Sequence, residues 1–136
     1  MPIVRQKMIY RKDLRDNPDN LYLFGDNLER YGMGGQAGEM RQEPNALGIA
    51  TKHSPSMDEE AFFSDDFLYF FLDGFIEELK PVVFHLSKRQ TVVIPEDGLG
   101  TGLSELPTRA PKIYRILNET LENLEAQFNV STPLNA

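Results

Sequence analysis

Gly98, Gly100 and Gly102 alternate inside a run that starts at Pro95-Glu96-Asp97 and ends at Glu105-Leu106-Pro107, with Leu99, Thr101, Leu103 and Ser104 between them. Alternating glycines let the backbone take positive φ and let a ligand approach the peptide planes without meeting a Cβ. Successive N–H groups in such a loop form an anion-binding concavity, so the chemistry indicated is phosphate binding. Each N–H donated to a phosphate oxygen is worth about 1.5–3 kcal/mol as a hydrogen bond to a charged group. A loop that only reverses the chain needs fewer glycines than this. The run is neither a P-loop nor a dinucleotide fingerprint: no Gly-Lys-Ser/Thr follows it, and the glycine spacing is different. A second cluster, Gly32, Gly34 and Gly35, is interrupted by Met33.

The elements around the loops can be read from periodicity. Gln90-Thr91-Val92-Val93-Ile94 is a β-branched run suited to a fully buried strand. Beyond the loop, Thr108 can cap a helix and Pro111 fits its first turn. Earlier, residues 3–10 read as a first strand, 11–16 as a polar helical turn, and Leu21-Tyr22-Leu23-Phe24 as a buried strand ending at Gly25-Asp26-Asn27. A short helix over 36–41 follows the first glycine cluster, and 46–50 reads as a third strand. From Asp65 the pattern turns helical, with Phe67, Phe70, Phe71, Phe75 and Leu79 on one apolar face and Ser64 as N-cap. Pro81 should kink or end that helix, with 82–86 continuing as a second helical piece. Ile113, Ile116, Leu117, Thr120, Leu121 and Leu124 define the last helix, and 130–136 reads as a loose tail. Alternating strands and helices imply one three-layer α/β domain over 1–136, with a mixed central sheet flanked by helices. Both glycine loops follow a strand and precede a helix, so both are expected to face one crevice at the strands' carboxyl ends.

Composition narrows the class. The chain has 136 residues, 40% hydrophobic and 26% charged, with a formal net charge of −7 and no cysteine. Disulfides, thiolate metal sites and a cysteine nucleophile are therefore excluded. The two histidines form no metal-ligand pattern, no serine sits in a nucleophile elbow, and no cofactor motif is present. The acidic balance disfavours direct nucleic-acid binding but leaves a single nucleotide as a partner. No apolar run is long enough to span a membrane and no signal peptide is evident, so a cytoplasmic location is expected.

The two blocks together resemble the macrodomain family, which binds ADP-ribose and related nucleotides. Gly100-Thr101-Gly102 followed by Pro107 is similar to that family's Gly-Thr/Ser-Gly loop, and Val92-Val93-Ile94-Pro95 to the strand and proline before it. Residues 21–27 resemble the strand that ends in the family's asparagine, and Gly34-Gly35 with Gln36, Ala37 and Gly38 its glycine-rich turn into a helix. The resemblance implies that Asn27 lies near the distal ribose, Gly34 and Gly35 near that ribose and its phosphate, and Gly100, Thr101, Gly102 and Leu103 on the diphosphate. It covers roughly a third of the chain. The loop after Pro95 is two residues longer than the family's, and its early Gly-Asp pair has no counterpart. Small phage-type proteins with the same Phe-Gly-Asp-Asn-Leu and Asp-Gly-Leu-Gly-Thr-Gly-Leu blocks are also similar.

The resemblance further implies an ADP-ribosylated macromolecule as a partner and hydrolysis of an ADP-ribosyl bond as the reaction to consider. Glycoside cleavage uses carboxyl groups as acid, base or nucleophile, which makes Asp26 and Glu39 the acid–base candidates beside Asn27. For Glu39 a solvated helix face is the stronger alternative; for Asp26 an Asx-turn beside Asn27 is equally weighted. Asp97 reads first as a turn residue. Lys52 could neutralise a phosphate and His53 could act as acid or base, although a surface place is the stronger expectation for both. Arg41 is placed either for a phosphate or for Glu43. The reading from a different class is a non-catalytic interaction module without nucleotide, using the six phenylalanines and Tyr69 of residues 62–75.

Overall fold

The computed structural model describes residues 2–130, so most of the expected C-terminal tail lies outside the described residues. Four strands, β1 (Ile3–Gln6), β2 (Leu21–Asn27), β3 (Ala46–Lys52) and β4 (Val92–Pro95), form one sheet in the order β1-β4-β2-β3. Every pairing is parallel, including Leu21 with Val92 in β2–β4 and Phe24 with Gly48 in β2–β3. The expected mixed sheet is therefore corrected. No hairpin turn joins consecutive strands; each returns through a crossover, and a crossover produces parallel neighbours.

The helices are α1 (Arg11–Asp16), α2 (Ala37–Met40), α3 (Leu68–Ser87), α4 (Leu106–Arg109) and α5 (Pro111–Phe128). Strand period decides which face each covers. On β2, Tyr22 and Phe24 point to a cluster with Leu14 of α1 and Ala37 and Met40 of α2. Leu23 points the other way, to Phe71, Phe75, Val82 and Leu86 of α3 and Ile113, Leu117 and Leu121 of α5. On β4, Val93 joins the first cluster and Val92 and Ile94 the second. The domain is thus three-layered, as the alternating pattern implies. At about 1.5–3 kcal/mol for each fully buried large aliphatic or aromatic side chain, these two clusters dominate its stability.

Side chains occupy exposed backbone groups of both edge strands. Asn129 accepts from the Ile3 N–H at 2.9 Å and donates to the Ile3 carbonyl at 3.0 Å. On β3, Arg30 donates to the Gly48 carbonyl at 3.1 Å and Glu78 accepts from the Ala50 N–H at 2.9 Å. Filling edge groups in this way blocks the pairing with other chains that an open edge invites.

Three helix expectations need correction. α3 runs unbroken through Pro81. Proline removes the N–H that would bond the Glu77 carbonyl, but both residues face solvent, where water can serve that carbonyl. Thr108 lies inside α4, and Ala110 precedes Pro111 at the start of α5. Ser64 stands before a 3-10 turn, Asp65–Phe67, with no side-chain capping bond; Asp65 instead accepts from the N–H groups of Lys112 and Ile113. Of the phenylalanines at 62–75, Phe62, Phe63, Phe71 and Phe75 are buried, so most of that stretch is core. Tyr69 and Phe70 remain exposed.

Candidate functional site

The chain leaving β2 enters α2 on one face of the sheet, while the chain leaving the adjacent β4 enters α4 and α5 on the other. Connections that diverge from neighbouring parallel strands open a crevice at their carboxyl ends. A cleft of about 290 Å³ lies there, with Gly34, Gly35 and Gln36 on one side and residues 95–104 on the other. Gly25 of β2 and Lys7, which follows β1, complete its lining. The two glycine loops therefore converge, and Gly34, Gly35, Gln36, Gly98, Gly100, Thr101, Gly102 and Leu103 share one cavity. Ala37 does not; it is packed in the core beneath α2.

The second loop is held open by its neighbours. Asn118 of α5 accepts from the Leu99 N–H at 3.0 Å and donates to the Leu99 carbonyl at 3.1 Å, clamping that peptide. Leu99 and Leu106 are fully buried, and the Leu106 N–H bonds the Gly100 carbonyl at 3.0 Å. Between those anchors, the N–H groups of residues 100–104 donate no hydrogen bond to another described residue. Five successive amides on the wall of a cleft are the main polar resource of the site. The N–H groups of residues 34–36 are likewise undonated among the described residues.

The glycines divide into two kinds. Gly100 has φ 86°, and a Cβ there would lie 2.3 Å from the Leu106 side chain, so its glycine is required by the fold. At Gly102 φ lies outside the left-handed region and a Cβ would meet nothing within 4 Å; its glycine leaves room.

The candidates for chemistry are placed elsewhere. Asp26 is buried and paired with Arg41, Nη2 to Oδ1 at 2.6 Å and Nη1 to Oδ2 at 3.3 Å. Arg41 also donates Nε to the Gly32 carbonyl at 2.7 Å, so it meets neither Glu43 nor the cleft. Glu43 instead pairs with Arg11 and Arg15. Asn27 folds onto its own loop, donating to the Tyr31 carbonyl at 2.8 Å and accepting from the Glu29 N–H at 3.0 Å. Glu39 accepts from the Arg11 N–H at 2.9 Å at the start of α1. None of Asp26, Asn27 and Glu39 lines the cleft; the carboxylates that do are Glu96 and Asp97.

Lys52 is not the surface group expected, and His53 is half-buried. Lys52 is buried, its Nζ donating to the Ser56 carbonyl at 2.6 Å and lying 4.5 Å from the centre of the Phe62 ring. Burial lowers its pKa below the ordinary lysine value, against the opposing pull of Glu105. His53 is wedged edge-on between Phe63 and Phe67, with ring centres 4.7 and 4.5 Å away, and burial lowers its pKa.

Four contributors carry little signal in the sequence. Lys7 supplies a cation at the mouth of the cleft, and Asn118 clamps the second loop. Thr51 donates to the Asp26 carbonyl at 3.1 Å, so its short contact with Ser104 is a bond donated by the Ser104 hydroxyl. That bond ties the second loop to the ends of β2 and β3. Only Asn118, a polar residue within the amphipathic pattern of the last helix, stands out at all in the sequence.

Fold and cleft together define a parallel α/β domain with a glycine-lined crevice at its switch point. The chain belongs to the family of unknown function DUF7831, whose model matches residues 4–120. No curated protein and no solved structure matches it.

Proposed function

We propose that the cleft binds the diphosphate of ADP-ribose or a related nucleotide, in the manner of a macrodomain. The observation that carries this reading is the row of five undonated amides at residues 100–104, facing a second set at residues 34–36 across one cleft. An anion supplies charged acceptors for several of these amides at once, each such bond being worth about 1.5–3 kcal/mol. Lys7 adds a positive charge at the mouth, while Glu96 and Asp97 restrict where the phosphates sit. A cleft of about 290 Å³ is at the small end for ligand sites, which suits a diphosphate with one ribose and leaves the remainder of a dinucleotide-sized ligand outside.

Binding is better supported than hydrolysis. Asp26 and Glu39 already serve an arginine and a helix terminus, and Asn27 serves its own turn. An ADP-ribosylated macromolecule remains the natural carrier in this reading, since the cleft is open to solvent along its rim.

Calorimetric titration with ADP-ribose, with AMP as control, tests the proposal. Selective binding of ADP-ribose is expected; equal or absent heats with both would remove the diphosphate reading.

A further inference from the structure

The outer face of α3 carries a stripe that no element among the described residues covers. Tyr69 is 82% exposed, Phe70 70%, Ile76 55%, Val83 40% and Phe84 62%. Tyr69, Ile76 and Val83 are spaced by seven residues, as are Phe70, Glu77 and Phe84, so these side chains form one seam along the helix. Asp73 and Lys80 stand between the apolar groups, and at Gly74 an added Cβ would meet nothing within 4 Å.

The order along the seam is self-complementary when reversed. An axis between Ile76 and Glu77 relates position 69 to 84, 70 to 83 and 73 to 80. Reversal therefore brings the apolar groups at the two ends of the seam together and Asp73 against Lys80, while Ile76 meets Glu77 at the centre, a carboxylate already paired with Lys80 of its own chain at 2.8 Å. We propose that α3 pairs in antiparallel fashion with α3 of a second copy of this chain about that two-fold axis. Tyr69 and Phe70 then pack on Val83 and Phe84 of the second copy, and Asp73 meets Lys80 of the second copy. A parallel pair would instead set Asp73 and Glu77 against their own equivalents and repel. An anionic lipid surface is disfavoured by the same two acids and by the net charge of −7.

The size of the patch is adequate for a modest interface. At about 150–250 Å² for each aromatic side chain, scaled by their 62–82% exposure, the three rings bring roughly 300–500 Å² before Ile76 and Val83 are added. A standard-size interface takes ~800 Å² from each partner, so the contact is a reversible dimer, concentration-dependent and isologous.

Sedimentation equilibrium of the full chain over a range of concentrations tests this. Reversible dimerisation is expected, weakened at least about tenfold by Phe84→Glu, an exposed position whose fold can be checked by circular dichroism. Asp73→Lys alone should also weaken it, and adding Lys80→Asp to Asp73→Lys should restore it. A monomer at every concentration, or a dimer indifferent to Phe84→Glu, would overturn the proposal. Failure of the double exchange to restore association would overturn the antiparallel arrangement.

Discussion

Asp26 and Arg41 form a two-pronged ion pair beneath the first glycine loop, with the guanidinium also holding the Gly32 carbonyl. The pair joins the end of β2 to the chain just after α2, so it fixes where the loop leaves the sheet. Both side chains are largely out of water, Asp26 at 4% and Arg41 at 12% exposure. Removing one charge from such a pair strands the other. Asp26→Asn should therefore cost about 3 kcal/mol or more in urea unfolding. Ligand affinity should fall with it, because residues 34–36 lose their anchor. An unchanged unfolding midpoint would show that the pair does not position the loop.

Gly100 and Gly102 should respond to the same substitution in different ways. Gly100→Val places a Cβ against the Leu106 side chain at a positive φ and should prevent stable folding. Gly102→Val has open space and should fold, yet its branched side chain crowds the amides of residues 100–104. Thermal melts of both variants, followed by titration of the folded one with ADP-ribose, separate the two roles. Wild-type affinity in Gly102→Val would contradict the phosphate-loop reading.

His53 predicts a pH effect of definite sign. Burial between Phe63 and Phe67 depresses its pKa below 6.5, so the unfolded chain takes up the proton more readily than the folded one. Its contribution to stability is present above pH 6.5 and is lost as pH falls through the depressed folded value. His53→Phe should remove that part of the pH dependence. Urea midpoints of both proteins on either side of pH 6.5 check this, and parallel pH profiles would contradict it.

Lys7 acts at longer range. As an exposed cation at the mouth of the cleft, it should be worth about 0.5–1 kcal/mol to an anionic ligand, and less as salt rises. Lys7→Ala should weaken binding by a few-fold at low salt and make affinity less salt-dependent. Titrations at two ionic strengths give the answer, and an unaltered salt dependence would place the ligand away from Lys7.

Much of the fold was legible because its signals are local. The buried strands at 21–24 and 90–94, the helix over 113–124 and the two glycine clusters follow from periodicity and backbone permissiveness alone. The convergence of the glycine loops followed from one added rule, that ligands gather at the carboxyl ends of neighbouring parallel strands. The partners of charged residues were not legible, because they are tertiary. Arg41 lay two residues from Glu43 in sequence, yet its guanidinium meets Asp26, and Glu43 meets Arg11 and Arg15 across the fold. Lys52 reads as a surface group by composition, but it is buried because the end of β3 is covered by the segment that carries Phe62 and Phe63, which leaves His53 half-exposed. The parallel direction of every strand depended on the crossovers, which periodicity does not reveal.

Amide-detected nuclear magnetic resonance of the labelled protein during titration with ADP-ribose tests the central claim most directly. An anion held by the loops should move the N–H signals of residues 100–104 and 34–36 together and saturably, with small changes elsewhere. Saturable shifts confined to other residues, or none at either loop, would show that the glycine cleft is not a nucleotide site.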